Sequence, residues 1–362
     1  MSYGHQIDEH GFFFVVKFFM MVVFLTAGVW WTGFYFEGAN TRAAVAVYNT
    51  DSQNFQTDRT EAVSFLEEQK QWKDLHEEAR GFVLGFVGDI MLDRGVEAKI
   101  IKHGGGDFGF PFELIRDELK NYDLLFGNLE GTISDRGTDT GSLYSFHMDV
   151  KAAPALKEAG FSVLSLANNH MSDWGKAALE DTLYRLKGQG ILYSGGGFYD
   201  EDAYDPAVAI LADGTSVAFV SFSQFHGYFE ANEKKAGIAM LSSENVSRSI
   251  KKAKEMADIV IASFHYGDEY AKLPNDFQKK ISRLAIDEGA DLVVGHHPHV
   301  IQPVERYGDG WIAYSLGNFI FDQYFSEETM EGGFLEAIVW NGEIANVNLR
   351  KVKLNEHYQP AF

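Results

Sequence analysis

The sequence contains no cysteine. That absence excludes a disulfide framework, a thiolate metal site and a lipid-modified N-terminal cysteine, and it suits an oxidising exterior without requiring one. Basic residues are scarce as well: 31 Lys and Arg stand against 52 Asp and Glu, a formal charge of -21. A surface so acidic disfavours DNA or RNA as a partner, because nucleic-acid binding depends on cationic side chains neutralising phosphates. No internal repeat or low-complexity tract stands out, so repeat and tail architectures have no support. What the chain does have is core-forming material. Of its 362 residues 46% are hydrophobic and 14% aromatic, enough for one large domain or two ordinary ones.

One long apolar run breaks the pattern. From Phe18 to Phe36, "FFMMVVFLTAGVWWTGFYF" carries no charge, and as a helix it would reach roughly 28 Å, the thickness of a bilayer core. Trp30, Trp31 and Tyr35 gather at its far end, where amphipathic rings favour headgroups, and Lys17 marks the near end. The expectation is a single-pass anchor at 18–36, a short cytoplasmic tail at 1–17, and everything else outside the cell membrane. A cleaved signal peptide and a buried core helix are the other readings. The length of the run and its bulky aromatic end argue against cleavage. A polar linker and an amphipathic helix are expected over 37–80, in which Val63, Leu66, Trp72 and Leu75 recur among charges at near-helical spacing.

From Gly81 onward a motif recurs: a short β-branched and aromatic run ends in a polar cluster. "FVLGFV" leads to Asp89, "YDLLFG" to Asn128 and Glu130, "FSVLSLA" to Asn168, Asn169 and His170, "DIVIASF" to His265, "DLVV" to Gly295–His299, and "GWIAYS" to Gly317 and Asn318. Helical stretches such as "SENVSRSIKKAKEMA" and "NDFQKKISRLAIDEG" lie between, the second closed by Gly289. Helices alternating with buried strands predict an α/β sheet protein, and in such sheets function gathers beyond the carboxyl ends of the strands.

Pooled, Asp89, Glu130, Asn169, His170, His265, His297 and His299 offer carboxylate, amide oxygen and imidazole, a ligand set suited to Zn, Mn or Fe. Pro298 disfavours helix at His297, so an extended segment is expected to aim His297 and His299 at one point, with His296 turned away. Asp173 is placed to orient His170, or else to favour a helix N-terminus. Asn168, Ser315 and Asn318 are expected to line a substrate cleft, although Gly317–Asn318 also reads as a plain turn. His147 could approach the same cleft, and His5, His10, His76, His103 and His357 read as bystanders.

Six ordered motifs, "FVGDIMLDR", "GNLEGTIS", "LANNHMSDWG", "FHYGDEY", "GADLVVGHHPHVIQPVE" and "YSLGNFIFDQ", resemble the capsule synthesis family CapA, which includes proteins of poly-γ-glutamate synthesis. The likeness covers about 81–354 and leaves 355–362 as a tail. It implies a calcineurin-like metallophosphoesterase fold, a four-layer α/β sandwich of two mixed β-sheets flanked by helices, preceded by one N-terminal transmembrane helix. It further implies Asp89 and His299 on one divalent metal, Glu130 bridging, Asn169, His265 and His297 on a second, and His170 protonating a leaving group or steadying the transition-state oxyanion. Two departures matter: Met91 stands where the phosphoesterase pattern has histidine, and Glu130 where it has aspartate. One firmly held cation and a weak or missing second are therefore expected.

Three functions compete at this level. The leading one is a membrane-anchored extracellular protein of capsule synthesis, acting on an anionic polymer such as poly-γ-glutamate or its chain ends, with membrane synthase subunits as possible partners. Against simple polymer storage, 30 basic and 50 acidic residues remain beyond residue 36, a charge of -20 that repels a polyanion. The alternatives are a secreted metal-dependent phosphoesterase and a non-catalytic scaffold subunit.

Overall fold

The computed structural model describes residues 20–26, 29–35 and 81–362. The stretch expected to span a membrane as a helix is described as two antiparallel strands, Met20–Thr26 and Val29–Tyr35, with Thr26 opposite Val29. Valines and aromatics dominate both segments, and such residues favour a pleated backbone over a helix. No helix among the described residues is long and apolar enough to cross a membrane. The expected tail, the linker helix, and His5, His10 and His76 lie outside the described residues.

Gly81–Phe362 folds as one compact unit around two mixed sheets. In the first, Phe82–Ile90 runs parallel to Leu124–Leu129, then Val163–Ser165, then Leu192–Ser194, and on its other side pairs antiparallel with Glu331–Trp340, which pairs with Glu343–Leu354. The second has Ser216–Ser223, Ile259–His265, Leu292–His296 and Gly310–Ala313 in parallel, bounded by antiparallel Ala207–Ile210 and Val304–Tyr307. All six runs read as strands from the sequence are strands. The expected tail is not separate: Pro360–Ala361 pairs with Lys353 and Leu354 at the sheet edge, and Tyr358 is buried. A polar stretch reads as a tail in sequence, but one pair of ladder partners is enough to bind it.

Period-two alternation explains the layering. Leu84, Phe86, Leu124, Phe126 and Val163 face Val217, Phe219, Ile259, Ile261, Leu292 and Val294 across the gap between the sheets, and the Phe126 and Phe219 rings stack at 5.4 Å. Each such ring contributes roughly 1.5–3 kcal/mol by leaving water. The intervening residues point outward. Val87, Leu125 and Leu164 meet Ile100, Leu156 and Leu183 of the helices Arg94–His103, Ala152–Ala159 and Gly175–Gly188. Val260 and Val293 meet Val246, Ile250, Ile281 and Ala285 of Ser243–Met256 and Asp276–Asp287. The order is helix, sheet, sheet, helix, and the carboxyl ends of both sets of parallel strands open on one edge.

Candidate metal centre

Strand pairing assembles the site. Asp89 ends its strand opposite Asn128, and Glu130 follows with its backbone N–H donating to the Ile90 carbonyl at 2.9 Å. Across the interface His265 pairs with His296 at the ends of their strands. Glycine permits the close approach. A Cβ on Gly88 would lie 1.9 Å from the Gly317 carbonyl oxygen, and one on Gly295 1.9 Å from that of Tyr314.

Asn128 is the hub. Its side-chain amide donates to Asp89 Oδ1 at 2.9 Å and to Glu130 Oε2 at 3.3 Å, and its oxygen accepts from Asn168 at 3.2 Å. His299 Nδ1 stands 3.3 Å from Asp89 Oδ2 and 3.0 Å from Asn318 Oδ1, and its Nε2 lies 3.7 Å from Glu130 Oε1. His265 Nε2 meets Asn169 Oδ1 at 2.7 Å. His265 and His297 rings are 4.8 Å apart, and those of His297 and His299 5.9 Å. At the mouth, His170 Nδ1 bonds Asp173 Oδ2 at 2.7 Å, its ring stacks on Phe146, and its Nε2 faces Glu130 Oε1 at 3.8 Å. Asp89, Glu130, Asn169, His170, His265, His297 and His299, from five separate segments, thus come together at one place.

Three expectations need correction. His297 and His299 do converge, but not on an extended segment: both have left-handed backbones, φ 95 and 56. Non-glycine residues there cost ~1–3 kcal/mol each unless the surroundings hold them. Here the His297 N–H reaches Asp89 Oδ2 at 3.3 Å and the Pro298 carbonyl accepts from Tyr270 N at 2.8 Å. His296 does not turn away; it is fully buried with Nδ1 3.3 Å from Asp89 Oδ1. The third correction concerns the residues expected to line the substrate cleft, which are fully buried. Asn168 spans from the Leu129 carbonyl to the His170 N–H, Ser315 Oγ accepts from Gly317 N, and Asn318 orients His299 while donating to the Thr329 carbonyl. His147 lies against Trp174, ring centroids 3.9 Å apart, with Nε2 near the Arg136 carbonyl. His103 and His357 stack on each other at 4.3 Å.

Two contributors are absent from the pooled set, Asn128, which was named only as a strand-end residue, and Phe225. Asn128 carried a usable signal, since it lies two residues before Glu130 in "GNLE" and period two sends both the same way. Phe225, packed 4.2 Å from the His297 ring, carried none.

The electrostatics suit a cation. Burial resists ionisation of Asp89, yet the His296 and His299 imidazoles beside it hold its carboxyl well below the usual range. Burial, then the Asp89 charge, pushes Glu130 well above it. Burial also keeps His265 well below its ordinary value and takes His297 down to about 3, so both are neutral. His299 is lowered by burial, but Glu130 and Asp89 outweigh that and raise it to about 9. A proton on His299 thus offsets the buried Asp89 carboxylate. Asp89, Glu130 and His299 present ligand atoms within 4.8 Å of one another. Glu130 Oε1 and His297 Nδ1 are buried without a hydrogen-bond partner, which native interiors rarely tolerate. Carboxylate and neutral imidazole with unspent lone pairs fit a divalent ion such as Zn, Mn or Fe.

The comparisons with known proteins agree on one family. The family model described as bacterial capsule synthesis protein PGA_cap matches residues 83–323. The PGA biosynthesis protein CapA of Bacillus subtilis is 35% identical over 241 residues, covering 66% of this chain and 63% of that protein. The capsule biosynthesis protein CapA of Bacillus anthracis is 35% identical over 274 residues, covering 73% and 64%. The chain therefore spans less than two thirds of the length of these curated relatives. Among solved structures, a phosphatase from Mycoplasma pneumoniae aligns at TM-score 0.45 and 14% identity, over 77% of this chain and 96% of that one.

Proposed function

The chain belongs to the bacterial capsule synthesis protein family, and from that premise we propose that it acts in the synthesis, export or release of an anionic polymer such as poly-γ-glutamate, using a divalent-cation centre for hydrolysis at chain ends. The observation that carries the hydrolytic part is the pair of unpartnered buried atoms, Glu130 Oε1 and His297 Nδ1, inside a cage of carboxylate and imidazole. Asp89, Glu130, Asn169, His265, His297 and His299 would hold the cation. When bound, such an ion lowers the pKa of water toward ~7 and polarises the bond to be cut.

The chain's own residues would do the rest. With Nδ1–H donated to Asp173, His170 keeps Nε2 toward the site, 3.8 Å from Glu130 Oε1, where it can pass a proton to a leaving group. Burial lowers the pKa of His170 and Asp173 opposes the fall, so near neutrality the ring is mostly neutral with Nε2 ready to accept a proton, and it serves as the acid only from its doubly protonated form. Phe146, stacked at 3.8 Å, fixes its plane.

Placement at the cell membrane, with the 81–362 unit outside, belongs to the same proposal and rests on the uncharged run Phe18–Phe36. Docking to membrane synthase subunits belongs to the same proposal. The deciding experiment takes the full chain in membranes, measures bound metal by elemental analysis, and follows the length of γ-linked glutamyl polymer. Polymer shortening by the native chain, with loss of both metal and shortening in His297→Ala, is the expected result. A metal-loaded native chain that leaves polymer and phosphoesters alike unchanged would leave the scaffold role standing instead.

A further inference from the structure

Two residues beyond Asp89 the chain has Met91, a thioether that is fully buried and turned to the Asp93 backbone N–H at 3.1 Å. It offers nothing to a hard cation. Its segment therefore gives the site no donor besides Asp89, which lies against the turn bearing His297 and His299. A carboxylate arrives there from elsewhere. Glu269, in "FHYGDEY", places an oxygen within 4.8 Å of ligand nitrogens of His297 and His299, which are themselves mutually within that distance.

The segment that carries Glu269 is pinned on both sides of it. Gly267, in a left-handed conformation at φ 91, donates its N–H to Gln224 Oε1 at 3.0 Å. Tyr270, also left-handed at φ 63, donates its N–H to the Pro298 carbonyl at 2.8 Å, which joins the segment to the turn bearing both histidines. Asp268 accepts from Asn275 Nδ2 at 2.8 Å, tying the segment to the N-cap of the helix Asp276–Asp287. A side chain merely solvated on a surface loop has no use for three such ties. His297 supplies the independent sign of a ligand: it is 7% exposed, and its buried Nδ1 has no hydrogen-bond partner.

We propose that Glu269 is a metal ligand, forming with His297 and His299 a carboxylate and bis-imidazole site for a divalent cation. The inference rests on the cation-binding reading of the site and goes beyond it by naming a ligand outside the expected set. Because Glu269 is exposed, the cation would be reached from solvent on this side, and this ligand would be the one exchanged when substrate or metal enters.

The test is direct metal binding, read without turnover. Full-length native chain, Glu269→Gln and His297→Ala are stripped of metal and titrated with Mn and with Zn by calorimetry, and the Mn(II) complexes are compared by electron paramagnetic resonance. Glu269→Gln is expected to fold normally, to bind about 10-fold or more weakly, the scale by which loss of a supporting group weakens metal sites, and to change the Mn(II) spectrum. Native-like affinity and spectrum in Glu269→Gln, with binding lost in His297→Ala, would overturn the role of Glu269 alone. No binding to the native chain would overturn the metal centre itself, and this inference with it.

Discussion

At the scale of single residues the site is a balance of charge in a dry place. Asp89 and Glu130 are fully buried together, and without a cation their repulsion is relieved by protonating Glu130 and His299. Loading a cation must expel those protons, because a metal ligand has to be deprotonated. Affinity for Mn or Zn should therefore rise with pH until about 9, the value to which His299 is raised, with proton release visible as a buffer-dependent binding enthalpy. His297 adds no slope in that window, being neutral above about 3. The cation-free fold should behave oppositely. His299 is raised from 6.5 to about 9, so its contribution is complete below 6.5 and lost as pH rises through about 9. Urea denaturation of metal-stripped protein across that range checks the sign, and stability that climbs with pH there would contradict it.

Secondary-structure elements bring these residues together because their backbones touch. The strand Leu292–His296 passes so close to Tyr314 that Gly295 has no room for a Cβ, and the atom in the way is backbone, which cannot swing aside. Gly295→Ala should then cost several-fold more than the ~1 kcal/mol typical of point changes. It should also displace His296 and His297, abolishing metal uptake along with much of the folded protein. Thermal unfolding by circular dichroism measures this. A variant that melts like the native chain would mean the two strands separate more easily than their packing implies. Legibility at this scale was uneven. Strands such as Phe82–Ile90 and Ile259–His265 were plain from short apolar runs ending in polar clusters, and the helix Asp276–Asp287 from its periodicity and the closing Gly289. The paired strands Met20–Thr26 and Val29–Tyr35 were not, because an apolar run of that length satisfies a helical span and a pair of strands equally well by composition.

Viewed as a whole molecule, the chain is an acidic body, and the polymer proposed for it is acidic too. The -20 charge beyond residue 36 repels a polyanion at long range, and salt shortens that range to about 8 Å at physiological ionic strength. Cleavage or capture of γ-linked glutamyl polymer should consequently improve as salt is raised from about 10 mM to about 150 mM. The slope of kcat/KM against ionic strength is the measurement. A fall with salt would reveal a basic docking track and favour sustained polymer binding over brief contact with chain ends.

The order of strands and helices, and the polar residues at strand ends, were determined by the sequence alone, because alternation, caps and turn residues act over a few positions. Asp89, Glu130, Asn169, His265, His297 and His299 were all nameable in that way. Which of their neighbours join them was decided only by the tertiary structure. His296 meets Asp89 from the other sheet, Asn128 lies between two carboxyl groups, Glu269 reaches the histidine turn, and Asn168 and Ser315 sink into the interior. Apart from Asn128 with Glu130, these contacts join residues tens to hundreds of positions apart. Their geometry depends on how two sheets pack face to face, and no local pattern encodes that packing.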